Sequence, residues 1–140
     1  LNSKKLDWFN GHYIRAKSDT ELLQLIKPYL PQITLEIIPL IKDRLTTLSQ
    51  ARDLAGFFFT RPALQKGLNK EYLQAAAEAL EKDQDLAEMA KNKNWKLGDF
   101  FMTLRLAICG SKITPPLTES MLILGKDEVI LRIKNCLIKN

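Results

Sequence analysis

Residues 97–110 read LGDFFMTLRLAICG. Leu97 to Cys109 is the most apolar segment of the chain and predicts a buried helix. Gly110 predicts its end, because glycine takes the left-handed backbone of a helix C-cap without strain. Arg105 is the sole charge in FFMTLRLAIC, and a guanidinium in so apolar a helix is costly unless it reaches solvent or a partner. Downstream, Thr114-Pro115-Pro116-Leu117 predicts a rigid extended turn. Helices over Glu119–Leu124 and Asp127–Ile138 follow, separated by Gly125.

Upstream the pattern is also helical. Asn69 is placed to cap a helix running through Glu81, whose centre carries Ala75, Ala76, Ala77 and Ala79. Small side chains there predict close packing against a neighbouring helix. Asp85 to Lys93 predicts another short helix. In the first half, Leu6 to Ile14 reads as a short helix. Ser18-Asp19-Thr20-Glu21 is a capping box, with the Ser hydroxyl taking the amide of residue 21 and the Glu reaching back to residue 18. Leu22, Leu23, Leu25, Ile26 and Leu30 then give an apolar face, with Pro28 inside that helix and Pro31 ending it. A further helix is expected over Leu35–Leu48, with Ile38, Ile41, Leu45 and Leu48 as its stripe and Pro39 in its first turn or at a kink. Ala51 to Phe59 ends in an aromatic knot, Phe57, Phe58 and Phe59. Thr60-Arg61-Pro62 marks a junction there, since proline disfavours helix in the residue before it. No stretch alternates as a strand would, so the expected class is all-α with short connections.

The bulk numbers fit a folded chain of one domain or two small ones. Of 140 residues, 46% are apolar and 26% charged, and the balance is +5 with a pI near 9.3. That charge permits an anionic partner such as nucleic acid without requiring one. Cys109 and Cys136 sit among apolar residues and read as buried thiols of a cytosolic protein. No apolar run approaches the roughly 18 residues of a membrane span, and no signal-peptide pattern is present. A soluble cytoplasmic protein is expected. The chain opens on Leu1 and reads as part of something longer.

No catalytic set is visible. His12, the only histidine, lies between Gly11 and Tyr13 as a surface helix residue with no partner in sequence. Glu71, Glu78, Glu81, Asp83, Asp85 and Glu88 read as a solvated face balancing local lysines. There is no glycine-rich phosphate loop and no metal-binding spacing. Trp8, Phe9 and Tyr13 recur at helical spacing and, with Trp95, are expected in the core.

Lys5 to Arg15 reads KLDWFNGHYIR. This string resembles the segment just after the catalytic core of bacterial glutamyl-tRNA synthetases, where KL-x-W-x-N-x-x-Y-I recurs. Residues 104–133, LRLAICGSKITPPLTESMLILGKDEVILRI, resemble that family's closing pattern: an LR-x-A-x-x-G helix end, a proline turn, a lone helix, Gly-Lys and a final helix with a central Arg. Lys96-Leu97-Gly98 matches the K-x-G entry. The resemblance covers essentially the whole chain, is specific at both ends and is generic between about 60 and 95. The two ATP motifs of class I synthetases, HIGH-like and KMSKS-like, are absent.

The resemblance implies an all-α anticodon-binding array. Residues 1–17 would end the part that contacts the tRNA stem. Residues 18–58 and 59–140 would be two small helical subdomains. The implied partners are glutamate tRNA or glutamine tRNA and the enzyme's own catalytic domain, in a monomer. ATP and Mg2+ would belong to that catalytic part, with no cofactor here and no activity from this fragment alone. Family arginines at the positions of Arg105 and Arg44 approach the anticodon loop and its third base. An Arg at position 44 is associated with preference for glutamate tRNA. The family's T-P-x-L segment, here Thr114, Pro115 and Leu117, contacts the first two anticodon bases. An aromatic often follows that Leu, and Thr118 here forfeits its stacking. Lys66, Lys112 and Lys126 are candidates for phosphate contacts. Plainer alternatives stand beside these: Arg105 at a helix edge or paired with a carboxylate, Arg44 paired with Asp43, and a ligand-free Pro-Pro linker. At the level of function the alternatives are the anticodon-binding part of another class I synthetase, such as the lysyl enzyme, and a helical protein-interaction domain.

Overall fold

The computed structural model of the chain describes residues 3–139, apart from the side chains of residues 3, 5–9 and 139. Among the described residues the regular structure is helical, and the chain divides into two compact units, Leu1–Thr60 and Arg61–Asn140.

The first unit holds α1 (Ser3–Ala16), α2 (Asp19–Ile26), α3 (Ile38–Ile41) and α4 (Ala51–Ala55). Helix α1 is longer at both ends than Leu6–Ile14. The capping box forms as read: the Glu21 amide donates to Ser18 Oγ at 3.2 Å and the Ser18 amide to Glu21 Oε1 at 3.3 Å. Helix α2 is shorter than expected and stops before Pro28, which lies in the turn beyond it. Of its apolar set, Leu22, Ile26 and Leu30 are buried, whereas Leu25 faces outward.

The helix expected over Leu35–Leu48 does not form as one piece. It is a single α-turn, α3, with Pro39 in its first turn, then a 3-10 turn over Lys42–Arg44. Leu45 is extended at φ −85°, ψ 128°, and a second 3-10 turn follows over Leu48–Gln50. The stripe still does its work, since Ile38, Ile41 and Leu45 are essentially inaccessible. Burial of those side chains outweighs continuous helix, a tertiary override of local periodicity. The Lys42 amine fixes the break by donating to the Lys17 carbonyl at 2.6 Å and to Asp19 at 3.1 Å. Helix α1 packs against this turn, with Gly11 close to the Leu45 carbonyl oxygen.

One aromatic expectation changes. Tyr13 is 65% exposed, because the buried side of α1 passes through Gly11 and Ile14. The expectation for Trp8 and Phe9 lies outside the described residues. His12 is exposed, as read.

The second unit holds α5 (Lys70–Glu81), α6 (Leu86–Asn92), α7 (Leu97–Cys109), α8 (Leu117–Leu124) and α9 (Lys126–Lys139). The Asn69 side chain caps α5 and Asp85 caps α6. The small face of α5, Ala76, Ala77 and Ala79, is buried, and α5 packs mainly on α9. Trp95 is half-buried and stacks with Tyr72 and Phe100. The carboxylates Glu71 to Glu88 are exposed; Glu81 pairs with Lys134 and Asp83 with Lys126. Helix α8 begins two residues earlier than expected. Pro116 takes its N-cap position, and the Ser120 hydroxyl donates back to the Pro116 carbonyl at 2.7 Å. Leu117 thereby becomes a helix residue aimed at the core.

Candidate functional site

The C-terminal end of α7 gathers Gln65, Arg105, Thr114 and Arg132. The helix ends at Gly110, at φ +78°, with its amide donating to the Arg105 and Leu106 carbonyls. A helix end leaves carbonyls unpaired, and here two side chains take them. Arg132 Nη1 donates to the Ile108 carbonyl at 2.9 Å, and Gln65 Nε2 to the Gly110 carbonyl at 2.8 Å. Pro62 closes on the same point: a Cβ on Gly110 would lie 2.4 Å from the Pro62 Cβ.

Arg132 is 5% exposed, so its charge needs compensation. Glu128, one turn before it on α9, supplies this at 2.7 Å. The same carboxylate takes a forked pair from Arg61, at 2.9 and 3.0 Å. Hydrogen bonds from Arg61 and Arg132 hold the Glu128 carboxyl down to about 2. The Cys109 thiol is pushed the other way, up to about 12, by burial. Cys109 and Cys136 are both buried and neither forms a disulfide among the described residues.

Arg105 stands one turn back from the helix end. Its Nη1 donates to Thr114 Oγ1 at 2.7 Å and more weakly to the Pro115 carbonyl at 3.4 Å. The Thr114 hydroxyl in turn donates to the Pro115 carbonyl at 2.9 Å. These acceptors are neutral, and among the described residues no carboxylate pairs with Arg105. The guanidinium has five N–H donors. No buried side-chain nitrogen or oxygen among the described residues lacks a partner, so its remaining donors face solvent. The site therefore offers an uncompensated, oriented cation beside a pinned turn. Such a group suits a phosphate or the acceptor edge of a base.

The structure thus brings Arg105, Thr114 and Pro115 into contact. Thr114 and Leu117 are only 5% and 6% exposed, and Pro115 is buried with them. They hold the turn from beneath, and its open face is made by Ser111, Lys112 and Ile113. Lys112 and Lys66 are exposed near this end of α7, Lys66 following the Gln65 that binds Gly110. Lys126 is tied to Asp83 at 2.9 Å. Thr118 lies at the edge of an apolar cavity of about 430 Å³ lined by Phe101, Met121, Leu122 and Val129.

Arg44 belongs to the first unit. It ends the 3-10 turn after α3, is exposed, and has no ion pair among the described residues, Asp43 included. Among the described residues no His, Cys, Asp and Glu group could hold a metal, and no helix is long and apolar enough to cross a membrane. Sequence reading did not find the helix-end roles of Arg132 and Gln65. The one local signal was the lone Arg in VILRIKNCLI.

Residues 21–137 match the family model of an anticodon binding domain. A glutamate–tRNA ligase of Treponema denticola is 30% identical, the alignment covering 96% of this chain and 37% of that protein. Glutamate–tRNA ligase 1 of Fervidobacterium nodosum is 35% identical, covering 95% of this chain and 32% of that one. The crystal structure of the glutamate–tRNA synthetase of Elizabethkingia anophelis superimposes with a TM-score of 0.74 at 25% identity, over 99% of this chain and 32% of that one. The chain spans about a third of the length of the relatives it matches.

Proposed function

The chain belongs to the anticodon binding domain family, and on that premise we propose that it is the anticodon-reading part of a glutamate–tRNA ligase. One observation carries the proposal: the family match runs through residues 21–137 and includes an oriented Arg105 whose spare donors face solvent. RNA sequence is read at unpaired loops, where base edges are open to such donors.

In this reading Arg105 approaches the anticodon loop, and the turn built on Thr114, Pro115 and Leu117 meets the first two anticodon bases. Arg44 addresses the third and favours glutamate tRNA over glutamine tRNA. Lys66 and Lys112 contact phosphate; Lys126 can join them only by leaving Asp83. Glutamylation, with its ATP and Mg2+, belongs to a catalytic part of a cytoplasmic, monomeric enzyme. No residue of this chain is assigned to that step, and the chain alone is inactive.

The test is binding of the chain to unmodified glutamate tRNA and to a copy with only the third anticodon base exchanged, at low and moderate salt. Tighter binding to the native anticodon, falling as salt rises, is the expected result. Arg44→Gln should weaken binding to the native tRNA by about tenfold and bring the two RNAs together in affinity. Equal, salt-sensitive binding of both by the wild-type chain would leave a phosphate-tracking domain and remove Arg44 from the reading. Absence of binding by the folded chain would overturn it as a self-sufficient reader.

A further inference from the structure

We propose that Ile113 is a base-contacting residue, its side chain packing on one unpaired nucleobase while the neighbouring Arg105 guanidinium bonds the same loop. The proposal rests on the anticodon reading and adds a residue that reading did not contain.

Ile113 is 74% exposed. A single exposed aliphatic side chain is ordinary and decides nothing by itself. Its position decides. The next residue, Thr114, is bonded to Arg105 at 2.7 Å, so Ile113 lies one residue from an oriented cation. On its other side the Ile113 amide donates to Ser111 Oγ at 3.2 Å. The apolar group is therefore held by bonds on both flanks. Among the described residues Arg105 has no carboxylate partner, and Lys112, which precedes Ile113, is exposed. The turn thus carries one exposed apolar side chain, next to the residue that Arg105 bonds, and one exposed cation, Lys112. An unpaired base presents the complement, an apolar face with acceptor edges and a phosphate attached. Thr114, Pro115 and Leu117 are buried and Pro116 is half-buried, so Ile113 is the most exposed apolar side chain of the turn.

The test uses the full 140-residue chain with a glutamate anticodon stem-loop RNA and copies in which each anticodon nucleotide in turn is abasic. Ile113→Thr keeps the branched Cβ and removes most of the apolar surface. It should leave thermal stability unchanged and bind the intact RNA about fivefold more weakly. It should also lose no further affinity for one abasic copy that the wild-type chain binds weakly, because the base it would touch is gone. Ile113→Val should fall between the two. Ile113→Thr binding intact RNA like wild type, or losses that multiply for every abasic copy, would overturn the role of Ile113 while sparing the anticodon reading. A wild-type chain that binds none of the RNAs would overturn both.

Discussion

Gly110 meets two demands at once. Its backbone is left-handed at φ +78°, and Pro62 occupies the space where a side chain would begin. A left-handed non-glycine residue costs about 1–2 kcal/mol, and a Cβ 2.4 Å from Pro62 Cβ adds displacement of the 61–65 segment. Gly110→Ala should therefore lower unfolding stability by about 2–4 kcal/mol, read from urea denaturation. Gly98→Ala is the matched control. Gly98 lies in the first turn of α7, and its Cβ would meet nothing within 4 Å. That change should be neutral or stabilising by about 0.5 kcal/mol. At this scale the sequence was readable where a residue's role is local. Gly110 announced itself, as did Arg105 as a lone charge. Arg132 did not, because its task at Ile108 exists only once residues 24 positions apart meet. Ile113 also stayed hidden, since nothing in SKITPP says which side chains of the turn face inward.

Between elements, Glu128 ties the start of the second unit to α9 and, through Arg132, to α7. Its folded pKa of about 2 lies below the ordinary 4.5. A carboxyl held down in this way contributes stability fully above its unfolded pKa and loses that contribution as pH falls towards 2. The wild-type chain should be more stable than Glu128→Gln by about 1–3 kcal/mol at pH 7. The gap between the two urea midpoints should narrow steadily between pH 5 and pH 2.5. A gap independent of pH would mean that packing rather than charge holds this joint. Elements themselves were legible in proportion to their caps. Ser18, Asn69, Asp85 and Gly110 each marked an end correctly, because capping is a bond between near neighbours. The segment 35–48 carried a helical stripe but no cap, and Lys42 bonds it to residues 17 and 19. Periodicity told which side chains are buried there, not what backbone carries them.

For the whole molecule, both thiols lie in the second unit and both are buried. Burial holds the Cys109 thiol up to about 12, and Cys136 is raised from its ordinary value for the same reason. Thiolate is the reactive form, so at pH 8 iodoacetamide should reach either cysteine only through opening of that unit. Native labelling, followed by mass, should be at least about a thousandfold slower than in denaturing urea. Rapid native labelling of Cys109 alone would show that the α7 end opens without the rest. The +5 charge gave a permissive signal for an anionic partner, but charge cannot say where. Only the fold puts Arg105 beside the turn that follows α7. Helix α9 is the main support of α5 and carries the arginine under the end of α7. On the ribosome it emerges after every other helix of its unit. Until then α5 has no main packing partner, the Ile108 carbonyl has no Arg132, and the turn over residues 111–116 rests on an unfinished helix end. The turn that Arg105 pins is thus completed late in synthesis of the unit, and a nascent chain stalled before residue 132 cannot yet present it in its finished form.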